Sequence, residues 1–188
     1  FPNLEYLLVT GETVKKNLLD RWFARFQNIK VVNAYGPTEA ADDVTLHIMS
    51  ESPATASVSI GKSLANLSIY IVNNDFQLCP VGVKGEILVS GVGVGRGYIN
   101  DIEKTKKAFT TDPFIEEKNI RLYKTGDIGK YLPNGTIEFF GRKDYQVKVR
   151  GYRIELEEIE LHLTALENVK EAIVLVLQKE NQLEQLYG

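Results

Sequence analysis

The 188-residue sequence is poor in cysteine and histidine, with only Cys79, His47 and His162. A single cysteine excludes an intrachain disulfide and fits a reducing compartment such as the cytoplasm. The two histidines and one cysteine are too few for a zinc cluster of the usual kind. Because no histidine is close to Cys79 in the sequence, a half-buried turn residue is favoured there over a catalytic thiol.

The sequence also lacks an excess of basic residues and a long apolar run. It carries 22 lysines and arginines against 25 aspartates and glutamates, a net charge of -3. Proteins that bind nucleic acids or acidic membranes normally carry an excess of basic residues, so this net charge does not favour such a partner. No run approaches the ~18 apolar residues of a membrane helix. The start, FPNLEYLLVT, has no signal-peptide features. Because strands are predicted at both ends, we expect an excised part of a longer protein.

Hydrophobic residues make up 44% of the chain, which is enough for a real core. The first third predicts a buried strand at 4–10, an amphipathic helix at 13–26 and a strand at 29–35. This order predicts a parallel strand pair with a helical crossover. After a Gly-Pro turn, DVTLHIM predicts a further strand.

From about residue 60 the pattern changes to short strands separated by turns. A hairpin is predicted at Pro133-Asn134-Gly135, helices at 101–110 and 155–169, and a last strand at 170–178. The helix at 155–169 is predicted to carry one apolar face, formed by Leu156, Ile159, Leu163 and Leu166. The remaining predicted strands are LSIYIV, GEILVS, RLYKTGD, GKYL, TIEFF and QVKVRGYRI. The fold class is therefore mixed α/β.

The glycine-rich segment SGVGVGRG at 90–97 resembles a dinucleotide fingerprint only superficially. Its spacing is GxGxGxG rather than GxGxxG, and no helix opens directly after it. We interpret it as a turn whose glycines let two backbone segments pass closely.

The segment NAYGPTEAADD at 33–43 places many polar groups directly after a predicted strand. Tyr35 can present a flat ring to a base, Thr38 offers a hydroxyl, and Glu39 offers a carboxylate suited to Mg2+. This arrangement at the carboxyl end of a strand suits a nucleotide. A turn with a helix cap explains the same residues structurally.

Two later residues suit a ribose. Asp127, predicted to follow a Thr-Gly turn, can accept two hydrogen bonds from paired hydroxyls. Arg142 offers a fixed fork of donors. A surface salt bridge is the alternative for either residue.

Four motifs then stand in a characteristic order: NAYGPTE, GEILVSGVGVGRGY, YKTGD and GRKDYQVKVRGYRIELEEIE. In this order the chain resembles adenylate-forming enzymes, and most closely the amino-acid adenylation domains of nonribosomal peptide synthetases. The resemblance implies that residues 1–143 are the C-terminal part of the large AMP-binding body, with a β-rich subdomain from about residue 60. Residues 144–188 would begin the small, mobile α+β C-terminal lid.

The resemblance implies a reaction in two halves. A carboxylate attacks the α-phosphorus of MgATP to give an acyl-adenylate and pyrophosphate, and the phosphopantetheine thiol of a carrier protein then takes the acyl group. Implied partners are an amino acid or related carboxylic acid, a peptidyl carrier domain and neighbouring synthetase domains.

The resemblance also implies site residues. Thr38 and Glu39 would be catalytic, with Glu39 holding Mg2+. The implied nucleotide contacts are Asn33 and Tyr35 at adenine, Gly36 in the turn, Thr38 at the α-phosphate, Asp127 and Arg142 at the ribose, and Phe139 as a second adenine wall. Asp144 would be the hinge, and Lys148 and Gly151 would belong to the lid hairpin that shapes the thiol tunnel.

The implied acyl pocket consists of Leu8, Thr10, Ala34, Asp42 and Asp43. Strand alternation predicts that only one of Asp42 and Asp43 points inward. Because a buried carboxylate needs a partner, we expect the substrate or a pocket group to supply a donor. The alternative is that both are solvated turn residues.

Three parts of a working domain are expected outside these residues: the phosphate-binding loop, the aspartate that holds an α-amino group, and a catalytic lysine beyond Gly188. We therefore expect the 188 residues alone to be inactive, and the acid could be an amino, keto, hydroxy or aryl acid. Gly95 departs from the alanine frequent in the family, with little expected effect. Other readings are a D-alanine–carrier protein ligase or another acyl-activating ligase, and a non-catalytic module that docks a carrier protein.

Overall fold

A computed structural model describes residues 2–144, 146–149, 151–177 and 185–187 of the chain. They group into two units, Phe1–Gly141 and Arg142–Gly188. The division falls slightly before the predicted boundary at 143/144. No helix among the described residues is long and apolar enough to cross a membrane.

The first unit begins with a four-stranded sheet in the order β1-β2-β3-β4, in which β1 and β2 are parallel. The elements are β1 Tyr6–Val9, α1 Lys16–Arg25, β2 Lys30–Tyr35, β3 Thr45–Met49 and β4 Lys62–Ser63. Helix α1 crosses between the parallel strands and buries Leu19 and Phe23 against Val31 and Met49. The predicted parallel pair with a helical crossover is confirmed.

The strand predicted at 4–10 is present as β1, but within the described residues it is not buried. Strand β1 lies at the edge of the sheet, and Tyr6 and Leu8 are 48% and 54% exposed. Alternation sends Val9 towards the helix side, where it packs on the α1 cluster, while Leu8 faces the opposite side. Apolar composition predicted burial, but it cannot tell a central strand from an edge strand.

The second sheet of this unit has five antiparallel strands in the order β5-β6-β8-β7, with β9 also pairing β8. Its elements are β5 Leu67–Val72, β6 Gly85–Gly91, α2 Ile102–Ala108, β7 Phe109–Thr111, β8 Arg121–Tyr131 and β9 Ile137–Arg142. The fully buried Ile87, Val89 and Ile137 form the centre of the main core. The predicted strands RLYKTGD and GKYL are one continuous strand, β8.

The predicted hairpin turn at Pro133-Asn134-Gly135 is confirmed. It joins β8 to β9, with the N–H of Leu132 donating to the carbonyl of Thr136 over 2.8 Å. Asn134 accepts hydrogen bonds from both the N–H and the hydroxyl of Thr136. These local bonds explain why turn residues predicted this hairpin well.

Within its described residues, the second unit contains two strand pairs and one helix. Its elements are β10 Val147–Val149, β11 Tyr152–Ile154, α3 Leu156–Thr164, β12 Leu175–Leu177 and β13 Gln185–Tyr187. Both β10–β11 and β12–β13 are antiparallel pairs. The predicted hairpin in QVKVRGYRI is present, although Tyr145 and Arg150 of the surrounding motif lie outside the described residues.

Helix α3 is shorter than the predicted 155–169. It ends at Thr164, whose hydroxyl bonds back to the carbonyl of Glu160 over 2.9 Å, and Asn168 adopts a positive φ of 77°. Of the predicted apolar face only Leu156 is buried, and Leu166 is 58% exposed. The predicted strand 170–178 contracts to β12, and Gln178 lies outside the described residues.

We predict that Glu138→Gln removes a pH-dependent part of the stability of the first unit. The hydrogen bond from Lys130, 2.9 Å away, lowers the pKa of Glu138, so the folded state favours the carboxylate. The contribution is present above the ordinary glutamate pKa and is lost as pH falls through the lowered value. Denaturant unfolding should show a loss of about 1 kcal/mol or less at pH 7.

Glu103→Gln is the matched control, because its pair with Lys106 is 69–77% exposed and should contribute almost nothing. An equal effect of Glu138→Gln at pH 7 and pH 3 would contradict the assignment.

Candidate functional site

The hydroxyl of Tyr35 donates to Oδ2 of Asp127 over 2.5 Å, joining residues 92 positions apart. Tyr35 ends β2 of the first sheet, and Asp127 lies within β8 of the second sheet. The ring of Phe139 lies 5.8 Å from that of Tyr35, centroid to centroid, at 44°. The structure thus brings together three of the residues predicted for a nucleotide.

Phe139, predicted as a second adenine wall, lies beside the ring of Tyr35. The two centroids are 5.8 Å apart, the separation of two rings in direct contact, and the role of Phe139 at adenine stays a prediction. Phe139 also packs on the main core. In this arrangement it supports the Tyr35 ring from one side.

Asp127 is aimed by a bulge in β8. Residues 125–127 lie opposite the single residue Ile87 of β6, where the register shifts. The hydroxyl of Thr125 donates to the carbonyl of Ile87 over 2.7 Å and accepts from the N–H of Asp127 over 2.9 Å. Gly126 supplies a positive φ of 75°. The predicted Thr-Gly turn is therefore a bulge inside a strand, a feature that redirects side chains.

The turn after β2 is folded tightly. Thr38–Ala40 form a short 3-10 helix, and the N–H of Val44 donates to the carbonyl of Tyr35 over 2.8 Å. A Cβ at Gly36 would lie 1.4 Å from the carbonyl oxygen of Asp42. Only glycine fits there, so the turn requires Gly36 for close backbone approach.

The glycine-rich segment passes directly over this turn. The N–H of Gly95 donates to the carbonyl of Glu39 over 2.8 Å. A Cβ at Gly93 or Gly95 would lie 3.1 Å from the carbonyl oxygen of Ala40 or Glu39. The interpretation of SGVGVGRG as a close-passage turn is confirmed.

Glu39 contacts a residue that the sequence analysis missed. The hydroxyl of Tyr98 donates to Oε1 of Glu39 over 2.7 Å. Tyr98 ends the motif GEILVSGVGVGRGY, but no spacing rule links it to a carboxylate 59 positions earlier. The polar side chain at the end of a glycine-rich segment was the available signal.

Asn33 is buried at 4% exposure, and its amide donates to the carbonyl of Ser59 over 2.9 Å. Asn33 and Tyr35 are two residues apart on β2 and project to the same face, while Ala34 projects to the other. Thr38 is exposed at the start of the 3-10 helix.

Four of the predicted pocket residues form two pairs: Leu8 and Ala34 share one face of the sheet, and Thr10 and Asp43 are joined by a hydrogen bond. Leu8 pairs with Val32 in parallel register, so it shares the face of the sheet to which Ala34 projects. The hydroxyl of Thr10 donates to Oδ1 of Asp43 over 3.1 Å.

Strand alternation does not govern the two aspartates, because β3 begins only at Thr45. Asp42 is exposed with a positive φ of 71°, whereas Asp43 is half-buried. The strand-alternation argument was therefore wrong. The two side chains differ in exposure because they lie in a turn, not because they alternate along a strand.

In the second unit, Arg142 forms a fork with Asp144. Its Nε and Nη2 donate to Oδ1 and Oδ2, each over 2.7 Å. Burial raises the pKa of Asp144, but the hydrogen bonds and charge of Arg142 outweigh it, and the pKa lies below its usual value. Lys148 pairs opposite Arg153 in the β10–β11 hairpin, and Gly151 has a positive φ of 80°.

Among the described residues there is no group of three or more metal-ligating side chains. Mg2+ bound with a nucleotide needs only one or two carboxylates, because phosphates and water complete its shell. A single carboxylate such as Glu39 fits Mg2+ that is bound together with a nucleotide, and it does not fit a metal ion held by protein ligands alone.

Three comparisons found known proteins to which this chain is similar. A family model described as AMP-binding enzyme matches residues 1–99. Bacitracin synthase 1 of Bacillus licheniformis is 42% identical over 183 residues, which is 95% of this chain and 3% of the synthase. Tyrocidine synthase 1 of Brevibacillus parabrevis is 41% identical, over 95% of this chain and 16% of the synthase.

Among solved structures, the chain is similar to holo-PA1221, an NRPS protein containing adenylation and PCP domains bound to a vinylsulfonamide inhibitor. The TM-score is 0.90 at 29% identity, covering 97% of this chain and 32% of that one. The similarity confirms the predicted fold class. The chain spans a small part of these longer proteins.

We predict that Gly36→Ala and Gly95→Ala have very different effects, although both touch the same turn. At Gly36 a Cβ would overlap the Asp42 carbonyl, so the turn must move, at a cost above about 3 kcal/mol in the free energy of unfolding. At Gly95 the Glu39 carbonyl must yield only a few tenths of an ångström, at about 1 kcal/mol or less. Denaturant unfolding of both variants checks this, and equal effects would show that the turn does not depend on close backbone approach.

Proposed function

The chain belongs to the family of AMP-binding enzymes, and from this premise we propose that it activates an amino acid or related carboxylic acid with ATP for nonribosomal peptide synthesis. The observation that carries the proposal is the hydrogen bond between Tyr35 and Asp127. It places an aromatic face beside a carboxylate, the pair of groups that a nucleoside needs for its base and its ribose.

In the proposed site, the Tyr35 ring stacks on adenine and Asp127 accepts hydrogen bonds from the ribose hydroxyls. Phe139 keeps the Tyr35 ring in place. Arg142 supports the ribose, and Asn33 lies near the edge of the base. The buried bulge around Asp127 fixes the direction of its carboxylate before the nucleotide binds, which reduces the cost of ordering the site.

Thr38 and Glu39 act at the phosphates. The Thr38 hydroxyl hydrogen-bonds the α-phosphate, and Glu39 would hold Mg2+, which offsets negative charge on the phosphates. A carboxylate oxygen of the acid attacks the α-phosphorus, the bond to the bridging oxygen of the β-phosphate breaks, and pyrophosphate leaves. Placed charges are the expected main contribution to such phosphoryl chemistry.

The acyl-adenylate then passes to a carrier. The phosphopantetheine sulfur attacks the acyl carbon, the bond to the AMP oxygen breaks, and AMP leaves. Support for a carrier-domain partner comes from the relatives, which are synthases, and from PA1221, which contains a PCP domain. As part of the same proposal, Asp144 is the hinge, and Lys148 and Gly151 belong to a hairpin of the lid. We propose a cytoplasmic location because the reaction consumes ATP.

We predict that Asp127→Asn weakens ATP use by the full-length protein that contains this chain. The amide replaces one acceptor oxygen by a donor, so one ribose hydroxyl loses its partner, at about 1.5–3 kcal/mol or roughly tenfold to hundredfold. ATP–pyrophosphate exchange should show a higher KM for ATP.

Asp112→Asn is the matched control, because Asp112 is a second buried aspartate of the same unit that accepts from a tyrosine, Tyr70, over 3.0 Å. It should cost stability and leave the KM for ATP unchanged. If the full-length protein neither exchanges pyrophosphate nor binds an ATP analogue by isothermal titration, the proposal fails and a carrier-docking module becomes the better interpretation.

We also predict that Asp43, and not Asp42, helps to select the acid. Asp43 is half-buried and held by Thr10, at the end of the strand that carries Leu8, whereas Asp42 is exposed. Pyrophosphate exchange is measured with a panel of acids that includes D-alanine. In Asp43→Asn the order of preference among these acids should change. Asp42→Asn is the matched control and should leave the order unchanged, since asparagine tolerates the positive φ at this position. An unchanged order in both variants would remove these residues from the pocket.

A further inference from the structure

Tyr98 links the glycine-rich segment to the carboxylate of Glu39. Its hydroxyl lies 2.7 Å from Oε1 and donates to it. Tyr98 itself is half-buried, and the edge of its ring meets Phe109, with centroids 5.5 Å apart at 75°. Phe109 in turn packs on Tyr123 of the main core. The tyrosine ring therefore rests on the core of the second sheet.

The backbone of Tyr98 is fixed by helix α2. Its N–H donates to the hydroxyl of Thr105 over 2.9 Å, and that hydroxyl donates to the carbonyl of Asp101 over 2.7 Å. At Gly97, with a positive φ of 127°, a Cβ would lie 2.4 Å from Cγ2 of Thr105. Glycine there lets the segment approach the helix closely.

The backbone of Glu39 is fixed independently. Its carbonyl accepts from the N–H of Gly95, and the neighbouring Ala40 is buried at 1% exposure in the core. Both ends of the Tyr98–Glu39 hydrogen bond are thus held by separate contacts. A side-chain hydrogen bond between two backbones that are each held by other contacts restricts the rotamer of the glutamate.

From these contacts we propose that Tyr98 is a positioning residue for Glu39, holding its carboxylate in the orientation that receives nucleotide-bound Mg2+. The inference rests on the proposed function, because it takes Glu39 as the Mg2+ ligand. Partners of this kind orient a ligating carboxylate, and their loss costs about 10- to 100-fold in metal affinity. Tyr98 is not among the residues predicted to contact the nucleotide, because in this proposal it contacts Glu39 and not the nucleotide itself.

The competing interpretation is a purely structural hydrogen bond between the turn and the glycine-rich segment. Tyr70 provides a matched case within the same unit. Its hydroxyl also donates to an aspartate carboxylate, on Asp112, over 3.0 Å, and its ring also packs on a phenylalanine, Phe114. Removing either hydroxyl should cost a similar amount of stability, so only the metal dependence separates the two interpretations.

The test compares Tyr98→Phe and Tyr70→Phe in the full-length protein. Equilibrium binding of Mn2+ in the presence of a non-hydrolysable ATP analogue is measured by electron paramagnetic resonance, and the Mg2+ dependence of pyrophosphate exchange is measured at saturating ATP and acid. Tyr98→Phe should weaken Mn2+ binding about tenfold and raise the Mg2+ requirement. Tyr70→Phe should leave both unchanged.

A double-mutant cycle with Glu39→Gln decides whether Tyr98 acts through Glu39. If it does, Tyr98→Phe adds no further loss of Mn2+ affinity once the carboxylate is gone. Unchanged Mn2+ affinity in Tyr98→Phe, or equal losses with and without Glu39, would overturn the inference. If the wild type binds no nucleotide at all, the proposed function fails instead, and the two failures are distinguishable.

Discussion

The hydrogen bond between Tyr35 and Asp127 is the contact on which the candidate site depends, because it joins two separate sheets. Tyr35 comes from a sheet built on a parallel pair, and Asp127 from the middle of an antiparallel strand. Tyr35 is supported by the ring of Phe139, which belongs to the second sheet, and Asp127 is supported by the Thr125 hydroxyl of its own strand. Tyr35 and Asp127 therefore lie on strands, where a precise arrangement is easiest to maintain, whereas Thr38 and Glu39 lie on the turn after β2.

Close approach of backbones is the second constraint, and glycine makes it possible. Gly36 lets the turn after β2 fold onto the Asp42 carbonyl, and Gly95 lets the glycine-rich segment bond to Glu39. The residues of NAYGPTE and of SGVGVGRG are thus two sides of one contact. Close backbone contact therefore accounts for the glycines of SGVGVGRG, and no nucleotide-binding role is required to explain them.

Much of the fold could be predicted from the sequence, because the relevant signals are local. The helical crossover and the Pro133–Gly135 hairpin follow from periodicity and turn residues, and both are present. Two features could not be predicted, since they depend on distant neighbours. The exposure of β1 depends on its position at the edge of the sheet formed by these residues, and the bulge at Asp127 depends on the register with β6. The end of α3 at Thr164 is a local feature that helical periodicity alone did not locate.

The candidate site shows the same division. Motif order predicted Tyr35, Glu39 and Asp127 as site residues, but it did not predict which side chains contact them. Tyr98 was missed because it lies 59 positions from Glu39 and carries no charge. The alternation argument for Asp42 and Asp43 failed because a turn residue at positive φ intervenes before the strand.

Helix α2 has a consequence for the behaviour of the site on warming. It is seven residues long and has no buried residue, Asp101 caps its N-terminus, and Ala108 at its end packs partly buried on the main core. Short helices without a buried face open more readily than sheet cores, and such openings are seen in amide hydrogen exchange. Because the N–H of Tyr98 donates to the Thr105 hydroxyl, opening of this helix removes one of the contacts that hold Tyr98 against Glu39 while both sheets are still intact.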